Sequence, residues 1–213
     1  EIPLRLVGSE MCIRDRGKCS KGVRRKAAVG RYCLFGMDEI LRLHQELVTG
    51  TYRARPTSKV KITYPKPRVA VATSFRDRVY QRSLNDNAVY PAMSKGFIRH
   101  NAACQTGKGT DWARQQVKLM IEREYRQHGP DGWCLLVDIR HYYDTMPHEV
   151  ANQRFERKLP YNVYARVRDV LDRQYTGEAG YSPGSQMVQL AGISVPDLSL
   201  IHISEPTRRR GIS

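Results

Sequence analysis

The residues best placed to do chemistry stand in one run, Leu135-Leu136-Val137-Asp138-Ile139-Arg140-His141-Tyr142-Tyr143-Asp144. An apolar stretch of β type ends in a carboxylate, and an aromatic pair and a second carboxylate follow before Pro147. A strand that delivers Asp138 at its end could hold a hard cation through oxygen ligands, beside the flat floor of the tyrosine pair. The same layout suits a buried strand that stops at a turn-forming Asp. The run alone does not choose between the two, so the elements that would position it carry the decision.

The two ends of the chain read differently from the rest. Leu6–Arg16, LVGSEMCIRDR, and Leu198–Arg208, LSLIHISEPTR, can be encoded by the two complementary strands of one short DNA. That DNA resembles the transposase adapter of sequencing libraries, read through once at each end. Residues 1–16 and 198–213 are therefore expected to be adapter translation and are set aside from fold reasoning. Residues 17–197 are expected to be a piece of a longer polypeptide.

Charge then narrows the partner. The formal net charge of +15 falls by only two when the ends are set aside, because three Arg cancel three acids in 1–16 and three Arg outweigh one Glu in 198–213. Such an excess favours a polyanion, nucleic acid before membrane, since nothing here is long and apolar enough to span a bilayer. Cys19, Cys33, Cys104 and Cys134 are scattered without a CxxC pair, which points away from a zinc site or disulfide scaffold and fits a reducing, cytoplasmic location.

Taken in order, the remaining chain opens with a basic segment, SKGVRRKAAVGRY, that suits either a nucleic-acid arm or a solvated helix face. Asp38 can cap a helix running to Val48, with Ile40, Leu41, Leu43, Leu47 and Val48 as its buried stripe. Ser58–Tyr64 alternates apolar and polar residues, and Val69–Ala72 is a second β run after Pro65-Lys66-Pro67-Arg68. These predict a hairpin whose Pro-stiffened turn projects Lys66 and Arg68, a pair able to clamp a triphosphate or merely to decorate the surface. Ser74–Ala92 predicts a helix with Val79, Leu84 and Val89 inward and Arg76, Arg78 and Arg82 outward, available to a nucleic-acid backbone.

Gly107-Lys108-Gly109-Thr110 looks like the tail of a phosphate loop, but the leading Gly is missing and no β run precedes it, which excludes that motif. Thr110 instead predicts an N-cap for a helix with Ala113, Val117, Met120, Ile121 and Tyr125 on one apolar stripe. His128-Gly129-Pro130 ends it, and Trp133–Val137 predicts the strand that delivers Asp138. Pro147 and Pro160 each start a helix, the second burying Val163, Val167, Val170 and Leu171. The glycine-rich stretch GEAGYSPGSQMVQ then feeds a helix with Met187, Leu190 and Ala191 inward. Its Gly-Ser turn can let backbone lie close to a base pair or a phosphate.

Each of these pieces is weak by itself, but their order is specific. KPR, FRDRVYQRSL, NAACQTGKGT, LLVDIRHYYD and GYSPGSQMVQL, in this sequence, resemble bacterial reverse transcriptases of the diversity-generating retroelement, group II intron and retron-like group. The likeness runs from Gly50-Thr51-Tyr52 to the end of the native stretch. It implies that Asp138 is the first catalytic carboxylate of the palm and holds magnesium together with the backbone carbonyl of Ile139. It implies that Tyr143 is the steric gate beneath the nucleotide sugar, and that Lys66 and Arg68 grip the incoming triphosphate. Gly184, Ser185 and Gln186 match the turn against the nascent base pair, with Pro183 standing where many relatives carry Gln.

The resemblance implies an α+β fold, the fingers and partial palm of a right-hand polymerase, with a small antiparallel sheet among packed helices. The expected divisions are a basic, helical N-terminal segment over 17–57, fingers over 58–132 and partial palm over 133–197. An RNA template, a DNA primer, deoxynucleoside triphosphates and magnesium are the implied partners, with no membrane. No Tyr-x-Asp-Asp follows Gln189, so one of the expected carboxylates is present and the chain itself is expected not to polymerise. The competing expectation is a non-catalytic, maturase-like RNA-binding protein on the same scaffold.

Overall fold

A computed structural model describes residues 9–65 and 67–204, with side chains described over 13–65, 67 and 69–196. Lys66 and the side chain of Arg68 thus lie outside the described residues. The chain is mostly helical with one small antiparallel sheet. In order come α1 (Ser9–Ser20), α2 (Ala27–Leu34), α3 (Gly36–Val48), β1 (Ser58–Ile62), β2 (Arg68–Ala72) and α4 (Phe75–Leu84). A π-helical turn over Asn85–Val89 extends α4 into α5 (Tyr90–Met93). There follow α6 (Thr110–His128), α7 (Tyr142–Thr145), α8 (His148–Lys158), α9 (Tyr161–Gln174) and α10 (Gln186–Ser204).

Apolar periodicity explains most of these elements. Helix α3 buries Ile40, Leu43 and Leu47 on one stripe, while Leu41 and Val48, expected inside, face solvent because they fall off the arc of about 100° that a core-facing helix covers. Helix α9 buries Val163, Val167, Val170 and Leu171, and α10 buries Met187, Leu190 and Ala191, both as the sequence pattern predicts. Pro147 and Pro160 stand as N-caps of α8 and α9, where a missing N–H costs nothing. Helices α1, α2 and α3 gather on one side of α4, while α10 touches α4 and packs on α8, so α4 is the shared wall of the core.

Strands β1 and β2 pair in antiparallel register from Ser58 opposite Ala72 to Ile62 opposite Arg68, as the alternation predicts. Helix α4 is also present, but its arginines are not simply displayed to solvent. Arg76 is ion-paired with Glu46, Arg78 lies over the Phe75 ring and Arg82 bonds Asp86. Half-buried guanidinium groups need partners; Arg76 and Arg82 have carboxylates, whereas Arg78 has a ring face and keeps its Nε without a hydrogen bond.

Four expectations fail locally. Asp38 lies within the first turn of α3, whose N-cap is Phe35 with no side-chain bond. Gly109, not Thr110, is the N-cap of α6, and it makes no side-chain bond there. The apolar stripe of α6 is uncovered: none of its residues is buried, with Val117, Ile121 and Tyr125 all exposed. Trp133–Val137 makes no strand, and Leu136 is 90% exposed. Both failures have one cause. A β-prone run forms a ladder only beside another strand, and an amphipathic helix is buried only against a second layer; the described residues supply neither at this place.

Among the polar contacts that tie the helices together, Asp86 joins Lys18 at 2.9 Å and Arg82 at 2.8 Å. Burial by itself would raise the Asp86 carboxyl, but the bonds from Lys18 and Arg82 outweigh it and hold the group below its ordinary 3.8. A carboxyl lowered by folding stabilises the fold above its unfolded value and loses that contribution as pH falls through the folded one. Asp86→Asn should therefore cost on the order of 1 kcal/mol at neutral pH. Urea titrations at stepped pH should show this gap closing as the pH falls below 3.8, whereas a gap independent of pH would exclude the linkage.

Candidate active site

The residues singled out by sequence fall into an anchored group and an exposed one. Tyr143 belongs to the first. The Tyr143 carbonyl accepts from the Tyr181 amide at 2.8 Å, and one step on, the Gly180 amide donates to the Met146 carbonyl at 3.0 Å. The ring lies against α10, where a Cβ placed on Gly192 would come within 2.8 Å of the Tyr143 hydroxyl and 2.9 Å of a ring carbon. Glycine at 192 is thus the space that the tyrosine occupies.

The neighbouring Tyr142 is held by a different device. Pro196 sits inside α10, has no N–H, and so leaves the carbonyl four residues earlier without its helical donor. That carbonyl belongs to Gly192, and the Tyr142 hydroxyl donates to it at 2.7 Å. Burial, with a smaller contribution from Tyr143, pushes the Tyr142 hydroxyl up to about 12, so it remains a donor at neutral pH. Burial likewise raises Tyr143. The two rings meet edge to face at 5.4 Å, a favoured aromatic arrangement.

The turn Gly184-Ser185-Gln186 is fixed from beneath. Ser185 is buried and its hydroxyl donates to Gln81 on α4 at 3.3 Å, while accepting from the Met187 amide at 3.2 Å at the start of α10. Gln81 in turn donates to Gln174 on α9 at 3.0 Å, all within the core. Gly184 faces the hairpin: a Cβ there would stand 3.7 Å from the Val71 carbonyl on β2. Strand β2, which begins at Arg68, is thereby brought against this turn. Gln186, with Arg78, Arg82 and Thr73, lines a cavity of about 160 Å³ between α4 and the turn. A second cavity of about 400 Å³, reaching from Arg82 and Asn85 to Gln186 and Gln189, adjoins it.

Asp138 forms the exposed group, on an irregular segment that continues through Ile139. Asp144 lies 3.4 Å from His141, whose backbone is left-handed at φ 51°. Carboxylate and carbonyl oxygens are the donor types that magnesium takes, so Asp138 and the Ile139 carbonyl are chemically suited to it. They make an incomplete set, for no cluster of three or more His, Cys, Asp or Glu side chains occurs among the described residues. Lys108, in the rejected phosphate-loop segment, donates to the carbonyls of Arg99 and Asn101 and lies over the Trp112 ring, where it ties its own loop together.

Two residues in this region escaped the sequence reading. Asp77 and Gln81 sit in a segment dominated by arginines, and both are buried. Ser74-Phe75-Arg76-Asp77 does carry a signal, the Ser-x-x-acid of a capping box, and the Ser74 side chain indeed accepts from the Asp77 amide. Nothing in the local pattern marks Gln81, whose partners are 93 and 104 residues away.

The arrangement of helices around a short hairpin recurs among known structures. Two solved structures share it: a chain of a partial Cas6-RT-Cas1–Cas2 complex and a chain of a Cas6-RT-Cas1–Cas2 complex. Each matches with a TM-score of 0.58 at 16% identity over 95% of the present chain, which spans 34% of the first matched chain and 22% of the second. No family profile matches the sequence, and no curated protein does. No described helix is long and apolar enough to cross a membrane.

The packing of Tyr143 yields a direct test. Gly192→Ala should force the ring aside and lower stability by about 1–3 kcal/mol in urea unfolding, the usual cost of adding a methyl to a filled site. Ala191→Gly, its buried neighbour on the same helix, should cost about 1–2 kcal/mol through lost propensity and a lost buried methyl, without displacing the Tyr143 ring. A Gly192→Ala variant as stable as the parent chain would show that the ring does not occupy this space.

Proposed function

We propose that this chain is part of an RNA-directed DNA polymerase, its fingers and the first portion of its palm. The observation that carries the reading is the convergence of the hairpin on the Gly184–Gln186 turn, with that turn held through Ser185 and Gln81 to α4. The shared fold and the ordered motifs support it, as does the net charge of +15, which suits a phosphate backbone. In this reading residues 1–16 and 198–213 are adapter translation.

The roles follow from chemistry. Lys66 and Arg68 at the hairpin end neutralise the triphosphate, Arg offering a planar fork and Lys a point charge. Tyr143 lies beneath the sugar and excludes a 2′-hydroxyl by filling its space. Gly184, Ser185 and Gln186 shape the floor beneath the new base pair, where the missing side chain of Gly184 permits close approach. Asp138 and the Ile139 carbonyl would hold magnesium, which neutralises charge on the transferring phosphate when bound. RNA template, DNA primer and deoxynucleoside triphosphates are the proposed partners.

The test uses the intact gene product. Asp138→Asn should reduce metal-dependent primer extension by at least a thousandfold, the scale of a lost electrostatic contribution, with RNA affinity nearly unchanged. Retained extension would remove Asp138 from the metal role. Tyr143→Ala should raise incorporation of ribonucleotides relative to deoxynucleotides by about a hundredfold, and an unchanged ratio would mean that the gate is another residue. An intact product that binds RNA and carries no further Asp pair would favour the non-catalytic, maturase-like alternative.

A further inference from the structure

Beyond the residues that would touch substrate, one buried group sits where the hairpin is rooted. The Asp77 carboxylate has no solvent exposure. Its Oδ1 accepts from the Tyr52 hydroxyl at 2.8 Å, and its Oδ2 accepts from the Arg55 amide at 3.0 Å and the Ser74 hydroxyl at 2.7 Å. Arg55 stands just before β1 and Ser74 just after β2. One carboxylate therefore grips the chain as it enters the hairpin and again as it leaves.

The group that completes the grip is itself immobilised. Tyr52 is buried, packs on Tyr80 with ring centroids 4.5 Å apart, and carries the Arg76 guanidinium over its ring at 5.1 Å. Arg76 is in turn ion-paired with Glu46 on α3. Burial, followed by the charge of Asp77, drives the Tyr52 hydroxyl far above its ordinary value, so it is a fixed donor. A buried carboxylate is tolerated only when it is well hydrogen-bonded, and here three donors reach its two oxygens.

Beyond this root the hairpin has little to hold it. Val60 and Val69 are about half exposed, and β1 is exposed at every residue but Ile62. Five strand residues at about 3.3 Å each extend roughly 16 Å, so a tilt of about 10° at the root would displace the far end by roughly 3 Å. That is a full hydrogen-bond length, enough to take a cation off a phosphate.

We propose that Asp77 is a positioning residue that sets the orientation of the β1–β2 hairpin and, with it, the affinity of this region for a nucleoside triphosphate. The root contacts stand by themselves; the triphosphate rests on the polymerase reading. Asp77→Asn is the sharper perturbation, because it removes the charge that three donors address, and the amide oxygen can keep both Oδ2 bonds only by turning its nitrogen toward the Tyr52 hydroxyl. Tyr52→Phe is the milder one, removing a single bond and keeping the ring.

The experiment is hydrogen exchange on the 213-residue chain and both variants, alongside binding of dGTP with magnesium and of a single-stranded RNA. Asp77→Asn is expected to speed exchange of the amides over 58–72 at least tenfold while those of α8 and α9 stay protected, with Tyr52→Phe giving a smaller rise in the same place. The dGTP affinity should fall about tenfold and RNA affinity stay within about twofold. Hairpin exchange unchanged in both variants, or a rise spread evenly over the chain, would overturn the proposal. If the parent chain binds no dGTP, the triphosphate half of the proposal fails for this chain, and the exchange pattern still decides the role of Asp77.

Discussion

The structure depends on two polar side chains that a buried helix face has no business carrying unless they are used. Asp77 and Gln81 are four residues apart on α4 and so share a face. Asp77 holds the two ends of the hairpin, and Gln81 holds Ser185 in the turn that opens α10. Helix α4 is packed around them through Phe75, Val79, Tyr80 and Leu84. Losing a partner from either group would leave an unpaired polar atom in the core, which costs about 1–3 kcal/mol or more for a charge. The hairpin and the turn are therefore placed relative to each other by one rigid rod.

Beside that rod, the tyrosine pair is arranged by backbone chemistry. Pro196 removes a donor from α10, Tyr142 restores it, and the glycine that exposes this carbonyl also leaves room for Tyr143. A helix break, a hydrogen bond and a missing side chain thus act at one point. Asp138 has no comparable support, since the run that carries it is exposed and unpaired. The candidate site is consequently half built: Tyr143 and the Gly184–Gln186 turn are fixed in place, while Asp138 lies on an exposed, irregular segment.

Much of this was legible from periodicity. The hairpin register, the caps at Pro147 and Pro160 and the inward residues of α9 and α10 depend on local alternation and local sterics, which a sequence displays. Trp133–Val137 and the stripe of α6 misled for the opposite reason. Their patterns state what each segment needs, a neighbouring strand and a covering layer, and whether a neighbour exists is not a local property. The local pattern of Arg76, Arg78 and Arg82 suggests a display of charge, yet each is engaged by Glu46, Phe75 or Asp86. Asp77 and Gln81 were hidden among those arginines because their roles arise from long-range contacts.

The central claim is that these elements are the substrate-handling part of a polymerase that copies RNA into DNA. The most direct measurement is primer extension by the intact gene product on an RNA template, with magnesium and deoxynucleoside triphosphates. The account predicts a DNA product of template length that disappears when Asp138 is replaced by Asn. An intact, RNA-binding product that extends no primer, or one that extends equally well without Asp138, would contradict it.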